Sequence, residues 1–324
     1  MQRMKPCDSF FRFCYKPSVR ADFLKEASWY VRTGWECFVL GRRKPFFAGI
    51  PVTDRCNLHC VHCVVAHAGR GDHSIQQIGE WMRLLYGRGA RFLSLQGGEA
   101  FGWGNGDLRL DDVIRLARKI GYFRVAAVTN GTYPIESTAD LVWVSIDGLD
   151  GCHDRIRGAG TFAALRKNLD RSSHPRIMAN MTVNRLNRQD VGRVARFAAE
   201  HQKLSGVSFN LHTPYQGVED LALDAGERSE VCSQIIRLKE SGFPVLNTRA
   251  GLDLLRSGKY QRPVWAIQMV EQGKVFECCW GREQPGVCQK CGYGVIAELS
   301  LLSRFRPGSI LHALRTFAAR GSAL

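Results

Sequence analysis

Apolar and polar positions along this chain switch between two periods. Phe47 to Thr53 is a short apolar run with the length of a buried strand, and Arg91–Leu95, Phe123–Thr129, Leu141–Ile146, Arg176–Val183 and Gly206–Leu211 repeat the pattern. Between these runs the spacing becomes helical. Ser74 to Arg88 sets Ile75, Ile78, Trp81, Met82 and Leu85 on one stripe, with Ser74 as the N-cap and Gly87 or Gly89 as the stop. Asp111 to Ile120 turns Val113, Ile114, Leu116 and Ala117 inward and ends at Gly121. Thr161–Leu169 and Gln189–His201 read the same way. Six strand–helix units of this length predict an α/β fold in which parallel strands curve into an open, partial barrel.

The flanks differ from this core. Residues 1–45 place Val19, Phe23, Ala27, Tyr30, Val31, Gly34 and Phe38 near one helical face, beside Trp29 and Trp35 and a basic set that ends in Arg42-Arg43-Lys44. Such a segment is expected to pack on its own domain, and peripheral contact with a membrane or a lipid substrate is its other use. After the core at 46–215, residues 216–261 read as a helical bridge, and 262–324 as a cysteine-rich region followed by a short amphipathic helix at Ile310–Ala319. No internal repeat is visible.

Composition narrows the classes. The chain has 324 residues, 45% of them hydrophobic and 23% charged, which is enough for one large core with an appendage. No apolar run reaches eighteen residues, and Met1 to Cys7 lacks the apolar stretch of a secretory signal, so the expected compartment is the cytoplasm. Twelve cysteines in that setting point to reduced thiols and metal ligation rather than disulfides. The net charge of +15 can steer an anionic partner. Its Lys and Arg residues are spread from Arg3 to Arg320 without an RNA-binding motif, so nucleic acid is not expected as that partner.

The sharpest chemical signal follows the first strand: Cys56-Asn57-Leu58-His59-Cys60-Val61-His62-Cys63. Three thiolates on one tight loop can bind three irons of a cubane cluster and leave the fourth iron open. Zinc is the alternative, with His59, His62 or His67 as fourth ligand. A second group, Cys278, Cys279, Cys288 and Cys291, follows a hairpin whose turn lies near Gln272-Gly273. Neighbours on a strand point to opposite faces, so Cys278 and Cys279 are not both expected to bind, and a cluster held by the rest would keep a free iron. A four-cysteine zinc knuckle is again the alternative. Cys7, Cys14, Cys37, Cys152 and Cys232 lack ligand spacing and are expected as buried small hydrophobes.

The first loop resembles that of the radical S-adenosylmethionine (radical SAM) superfamily, with His62 where that family has an aromatic ring. Gln96-Gly97-Gly98-Glu99-Ala100 resembles its Gly-Gly-Glu-Pro segment, with Ala100 replacing proline. Val128-Thr129-Asn130-Gly131 and Val144-Ser145-Ile146-Asp147-Gly148 resemble later strand ends. The likeness covers roughly residues 46–215, and the second cysteine group resembles a shortened SPASM or twitch extension. The implied fold is a partial (β/α)6 TIM-type barrel with a small cysteine-rich C-terminal extension.

The resemblance implies a [4Fe-4S] cluster on Cys56, Cys60 and Cys63 whose open iron takes S-adenosylmethionine, and one auxiliary [4Fe-4S] cluster at the second group. It implies that Gly97, Gly98 and Glu99 hold the methionine amino group, with Asn130, Ser145 and Asp147 near ribose or substrate. Asn180 and Asn184 are similar candidates, and Phe209 or its neighbouring backbone is placed beside adenine. Reductive cleavage of the sulfonium would give a 5′-deoxyadenosyl radical that abstracts hydrogen from the substrate, with ferredoxin or flavodoxin as electron donor. A small metabolite or lipid-like substrate is the leading expectation and a peptide the runner-up. A peptide-binding winged helix, which would favour the latter, does not fit within residues 1–45. A zinc-binding adaptor that has kept the barrel is the non-enzymatic alternative.

Overall fold

The computed structural model describes residues 18–302 apart from 68, 70 and 272. The expected helix at Ile310–Ala319, together with Cys7 and Cys14, lies outside the described residues. The segment up to Arg43 and the chain from Lys44 form two separate compact units. In the first, helix α1 (Ser18–Gly34) buries Glu26, Trp29 and Thr33, whereas Val31 and Trp35 are exposed. The inward face is thus set by Trp29 rather than by the stripe containing Val31.

In the second unit, β1 (Phe47–Thr53) leads to α2 (Ile75–Arg88), β2 (Phe92–Gly97), α3 (Leu110–Ile120) and β3 (Arg124–Thr129). Next come β4 (Leu141–Ser145), α4 (Gly151–Arg157), α5 (Thr161–Arg171), β5 (Ile177–Val183), α6 (Val191–Glu200) and β6 (Leu204–Leu211). Strands β1 to β6 are parallel, each paired with its neighbour in sequence. That sequential order follows from crossovers that return the chain to the same end of the sheet before each new strand; they are helical except between β3 and β4, where residues 130–140 cross without a helix, one fewer strand–helix unit than expected. The helix boundaries follow local chemistry. Ser74 accepts the Gln77 N–H at 3.2 Å to start α2, and Gly121, with φ of +111°, ends α3.

The core lies between the strands and the helices packed on them. Ile50, Val52, Leu95, Val125 and Val144 of the strands are buried in one cluster with Ile78, Met82, Leu85 and Ile114 of α2 and α3. Each fully buried aliphatic side chain contributes about 1.5–3 kcal/mol. Polar groups inside are tied. The Trp103 indole donates to the His73 carbonyl at 2.9 Å, and the Tyr122 hydroxyl donates to that of Met82 at 2.8 Å.

Helices α7 (Ala225–Glu240) and α8 (Arg249–Ser257) form the bridge. The hairpin of β7 (Ile267–Glu271) and β8 (Lys274–Glu277) does not stand apart from the barrel. Strand β7 pairs in parallel with β1, aligning Ile267 with Phe47, so among the described residues the sheet has eight strands in the order β6-β5-β4-β3-β2-β1-β7-β8. Short α9 (Val287–Lys290) and α10 (Gly294–Leu302) close the described chain. Glu298 on α10 accepts both the backbone N–H and the hydroxyl of Thr248, the N-cap of α8. Among the described residues no helix is long and apolar enough to cross a membrane.

Candidate active site

The loop after β1 is braced at its base. Asp54, buried, accepts the Gly71 N–H at 2.6 Å through its carboxylate and the His67 N–H at 2.7 Å through its carbonyl. Arg55 pairs with Asp72. The loop is pinned further along by the Val61 N–H, which donates to Ile156 of α4 at 2.9 Å. Within it, N–H groups aim at sulfur: Leu58 at Cys56 (3.4 Å), Ala66 at Cys63 (3.5 Å) and the Asn130 amide at Cys56 (3.8 Å). Such donors favour thiolates. Burial works the other way and pushes the Cys60 thiol up to about 11, so metal loading has to displace that proton.

The three histidines offered as zinc ligands have other occupations. His67 Nε2 lies 2.8 Å from the Leu58 carbonyl, and His59 stacks on His67 with ring centroids 4.1 Å apart. His62 turns inward, with Nε2 3.7 Å from Asp147, while its Nδ1 is buried without a hydrogen-bond partner. Burial lowers its pKa to about 4, leaving a neutral ring.

Glycines 97 and 98 do something the sequence did not reveal. Gly97 has φ of +138°, and a Cβ there would collide with the Thr53 carbonyl oxygen; a Cβ on Gly98 would collide with that of Arg55. Their close approach is to the base of the cysteine loop itself. Their N–H neighbours join in, with Gly98 donating to Thr53 and Glu99 to Arg55, both at 2.8 Å. Glu99 is also consumed internally. It is 2% exposed and accepts from the Thr129 hydroxyl (2.8 Å), Phe101 N (3.0 Å) and Asn130 N (2.6 Å).

Asp147 is fully buried at the end of β4. It accepts from Arg157 Nε at 2.6 Å and from Thr182 N at 2.9 Å. Burial alone would raise this carboxyl, but Arg157, His62 and Thr182 hold it below its ordinary value. Arg157 also acts electrostatically on Cys60, so a buried cation sits under the cysteine loop. Ser145 and Asn180 lie opposite one another in β4 and β5, half-buried. Asn184 is sealed and caps its own turn, accepting Leu186 N at 2.8 Å. Phe209 is 1% exposed in the core, its N–H donating to and its carbonyl accepting from the Asn247 side-chain amide.

The second cysteine group corrects another expectation. Cys278 has φ of +70°, a left-handed conformation that ends the strand alternation just past β8. Cys278 and Cys279 therefore do not point apart: their thiols share a hydrogen bond, which raises the pKa of Cys278 and lowers that of Cys279. Cys291 and Cys288 act on them electrostatically, so the four lie together. Cys37 and Cys232 are buried as expected, whereas Cys152 is half-buried with its sulfur 3.8 Å from the Leu186 carbonyl.

Among the described residues no three His, Cys, Asp or Glu side chains meet closely enough to hold one ion. Zinc draws its ligands to about 2.3 Å from one point, whereas cluster ligands bind separate irons and need not converge. The sulfur-directed N–H donors, the buried Arg157 and the grouped thiols fit iron–sulfur clusters. The sequence reading missed Arg157 and His153 on α4, and His212, Thr213 and Tyr215. The last three immediately follow a parallel strand, a position that alone marks site residues in such sheets.

Residues 50–198 match the family model of the radical SAM superfamily. It is 31% identical over 138 residues to the antilisterial bacteriocin subtilosin biosynthesis protein AlbA of Bacillus subtilis, covering 39% of this chain and 30% of that protein. It is 27% identical over 217 residues to Fe-coproporphyrin III synthase of Methanosarcina barkeri, covering 60% and 52%. The fold resembles that of Streptococcus suis SuiB bound to the precursor peptide SuiA, with a TM-score of 0.59, 10% identity, and coverage of 88% of this chain and 70% of that one. The chain thus spans from under a third to about half of the curated relatives' length.

Proposed function

We propose that this chain is a radical SAM enzyme that modifies a peptide. The observation that carries the enzymatic reading is the braced Cys56–Cys60–Cys63 loop, whose sulfurs meet N–H donors beside a buried guanidinium. Those cysteines would hold three irons of a [4Fe-4S] cluster, and Cys278, Cys279, Cys288 and Cys291 an auxiliary one. With cluster and S-adenosylmethionine bound, the site supplies reductive sulfonium cleavage and hydrogen abstraction from an unactivated carbon.

The chain's own residues fix and shield this site. Gly97, Gly98 and Glu99 lock the end of β2 against the cysteine loop, Asn130 bridges Cys56 to β3, and the Asp147–Arg157 pair holds a dry, charged floor. His62 presents a neutral ring over that floor. The basic surface suits an acidic electron donor such as ferredoxin or flavodoxin.

A peptide is favoured over a small metabolite because one relative serves bacteriocin biosynthesis and one structural neighbour is bound to a precursor peptide. Strand β8 supports this choice. Among the described residues it is the last strand of the sheet, the position at which an extended peptide adds to a sheet. Likeness to Fe-coproporphyrin III synthase over 60% of the chain favours a small molecule as the second reading.

The test uses anaerobically reconstituted protein, S-adenosylmethionine and dithionite. Deuterium transfer into 5′-deoxyadenosine is compared between the peptide and small-molecule fractions of cells grown in heavy water. Transfer from the peptide fraction is expected. Transfer only from small molecules selects the second reading, and absence of 5′-deoxyadenosine in every case overturns the enzymatic one.

A further inference from the structure

Two of the four sulfurs in the C-terminal group are met by hydroxyls that come from the barrel, not from their own loop. Past the end of β6, Thr213 Oγ1 donates to Cys291 Sγ at 3.7 Å and accepts the Gly292 N–H at 3.2 Å. Two residues on, Tyr215 Oη lies 3.6 Å from Cys279 Sγ. A thiolate has no proton, so the phenol is the donor when Cys279 is ionised.

Neither contact is loose. The Tyr215 ring stacks on Trp280 with centroids 5.2 Å apart, and a Cβ on Gly281 would run into that ring. Gly292 permits the same closeness on the other side, where Leu211 N donates to its carbonyl at 2.9 Å and a Cβ would strike the Leu211 carbonyl oxygen. Thr213 and Tyr215 are therefore held against the sulfurs by backbone packing, before any metal is considered. The Tyr293 N–H, 3.4 Å from Cys291 Sγ, adds a main-chain donor that side-chain substitution leaves in place.

We propose that Thr213 and Tyr215 are positioning residues for the auxiliary site, where their hydroxyls donate to the Cys291 and Cys279 sulfurs and raise the reduction potential of an iron–sulfur cluster bound there. This rests on the reading of the second cysteine group as cluster ligands. A hydrogen bond to a cluster sulfur stabilises the reduced state, which carries the extra negative charge, and so makes reduction easier.

The test uses the full chain, reconstituted anaerobically with iron and sulfide, with iron and zinc counted and each cluster titrated by electron paramagnetic resonance. Tyr215→Phe keeps the ring stacked on Trp280 and removes only the donor. Thr213→Val removes the other hydroxyl, and Thr213→Ser restores it. Wild type is expected to take up two clusters' worth of iron. The Phe and Val variants are expected to keep that iron but hold the auxiliary cluster about tenfold less reduced at fixed poise, roughly 59 mV for one electron. The Ser variant and the N-terminal cluster should not move.

Full iron with an unmoved potential in both Phe and Val overturns the proposal alone, as does loss of auxiliary iron from Tyr215→Phe, which would make the hydroxyl a retention device. One cluster's worth of iron in wild type, or zinc at the second group, overturns the underlying reading together with the proposal. That result appears before any variant is made.

Discussion

Glu99 Oε2 accepts the Asn130 backbone N–H at 2.6 Å, so a sealed carboxylate joins the end of β2 to the end of β3. Its other oxygen holds Thr129 and Phe101. Glu99→Gln points an amide nitrogen at one of these donors and should cost about 1–3 kcal/mol or more of stability, read as a shift in urea midpoint. An unchanged midpoint would mean that the side chain serves a bound ligand instead.

The Asp147–Arg157 pair is buried on both sides, with side chains 0% and 9% exposed. Arg157→Gln leaves a carboxylate in a dry site and should destabilise by about 3–5 kcal/mol. Asp147→Asn added to it should recover much of that loss. A double-mutant cycle without coupling would contradict the pairing.

A sequence reader could find β1 to β6 because each is an apolar run, and the first of them are set off by helices with clear ends, as at Ser74 and Gly121. The cysteine trio was legible from spacing alone. Helix α4 was not: Gly151–Arg157 has seven residues, no stripe and three charges, and it is helical because Ile156 and Arg157 are fixed by the cysteine loop and Asp147. The inward use of Glu99 and Asp147 was equally hidden, since a carboxylate at a strand end looks the same in sequence whether it faces a ligand or a neighbouring N–H.

Gly292→Ala should separate the two cysteine groups. Its methyl would strike the Leu211 carbonyl oxygen, displacing Cys291 while leaving Cys56, Cys60 and Cys63 untouched. Iron should fall to one cluster's worth. Retention of all the iron would show that the C-terminal loop can shift without losing its ligands.

Cys60→Ala should abolish 5′-deoxyadenosine formation, whereas Cys291→Ala should leave some uncoupled S-adenosylmethionine cleavage. The measurement is product formed per protein under dithionite. Equal and complete loss in both variants would contradict an auxiliary role for the second group.

His153 makes stability fall in acid. It is fully sealed, its Nδ1 faces the Asp147 N–H at 3.3 Å, and burial lowers its pKa to about 4. The unfolded chain takes up this proton near pH 6.5 and the folded chain only near 4. The stabilisation is therefore complete above 6.5 and is lost as pH falls through that window, on the order of 3 kcal/mol. His153→Gln should flatten the urea midpoint between pH 7 and 5, leaving a slope from His62 and His212, whose pKa values burial also lowers. A wild-type midpoint that is level across that range would contradict the assignment.

Pairing of β7 with β1 means that the cysteine-bearing tail is stitched into the sheet instead of hanging from it. A chain cut after the bridge would bare the flank of β1, whose residues from Ala48 to Thr53 are all sealed in the intact fold. Unclothed backbone of that kind recruits strands from other molecules. The catalytic core is thus not a detachable cassette, and attempts to express it without its tail should yield aggregate.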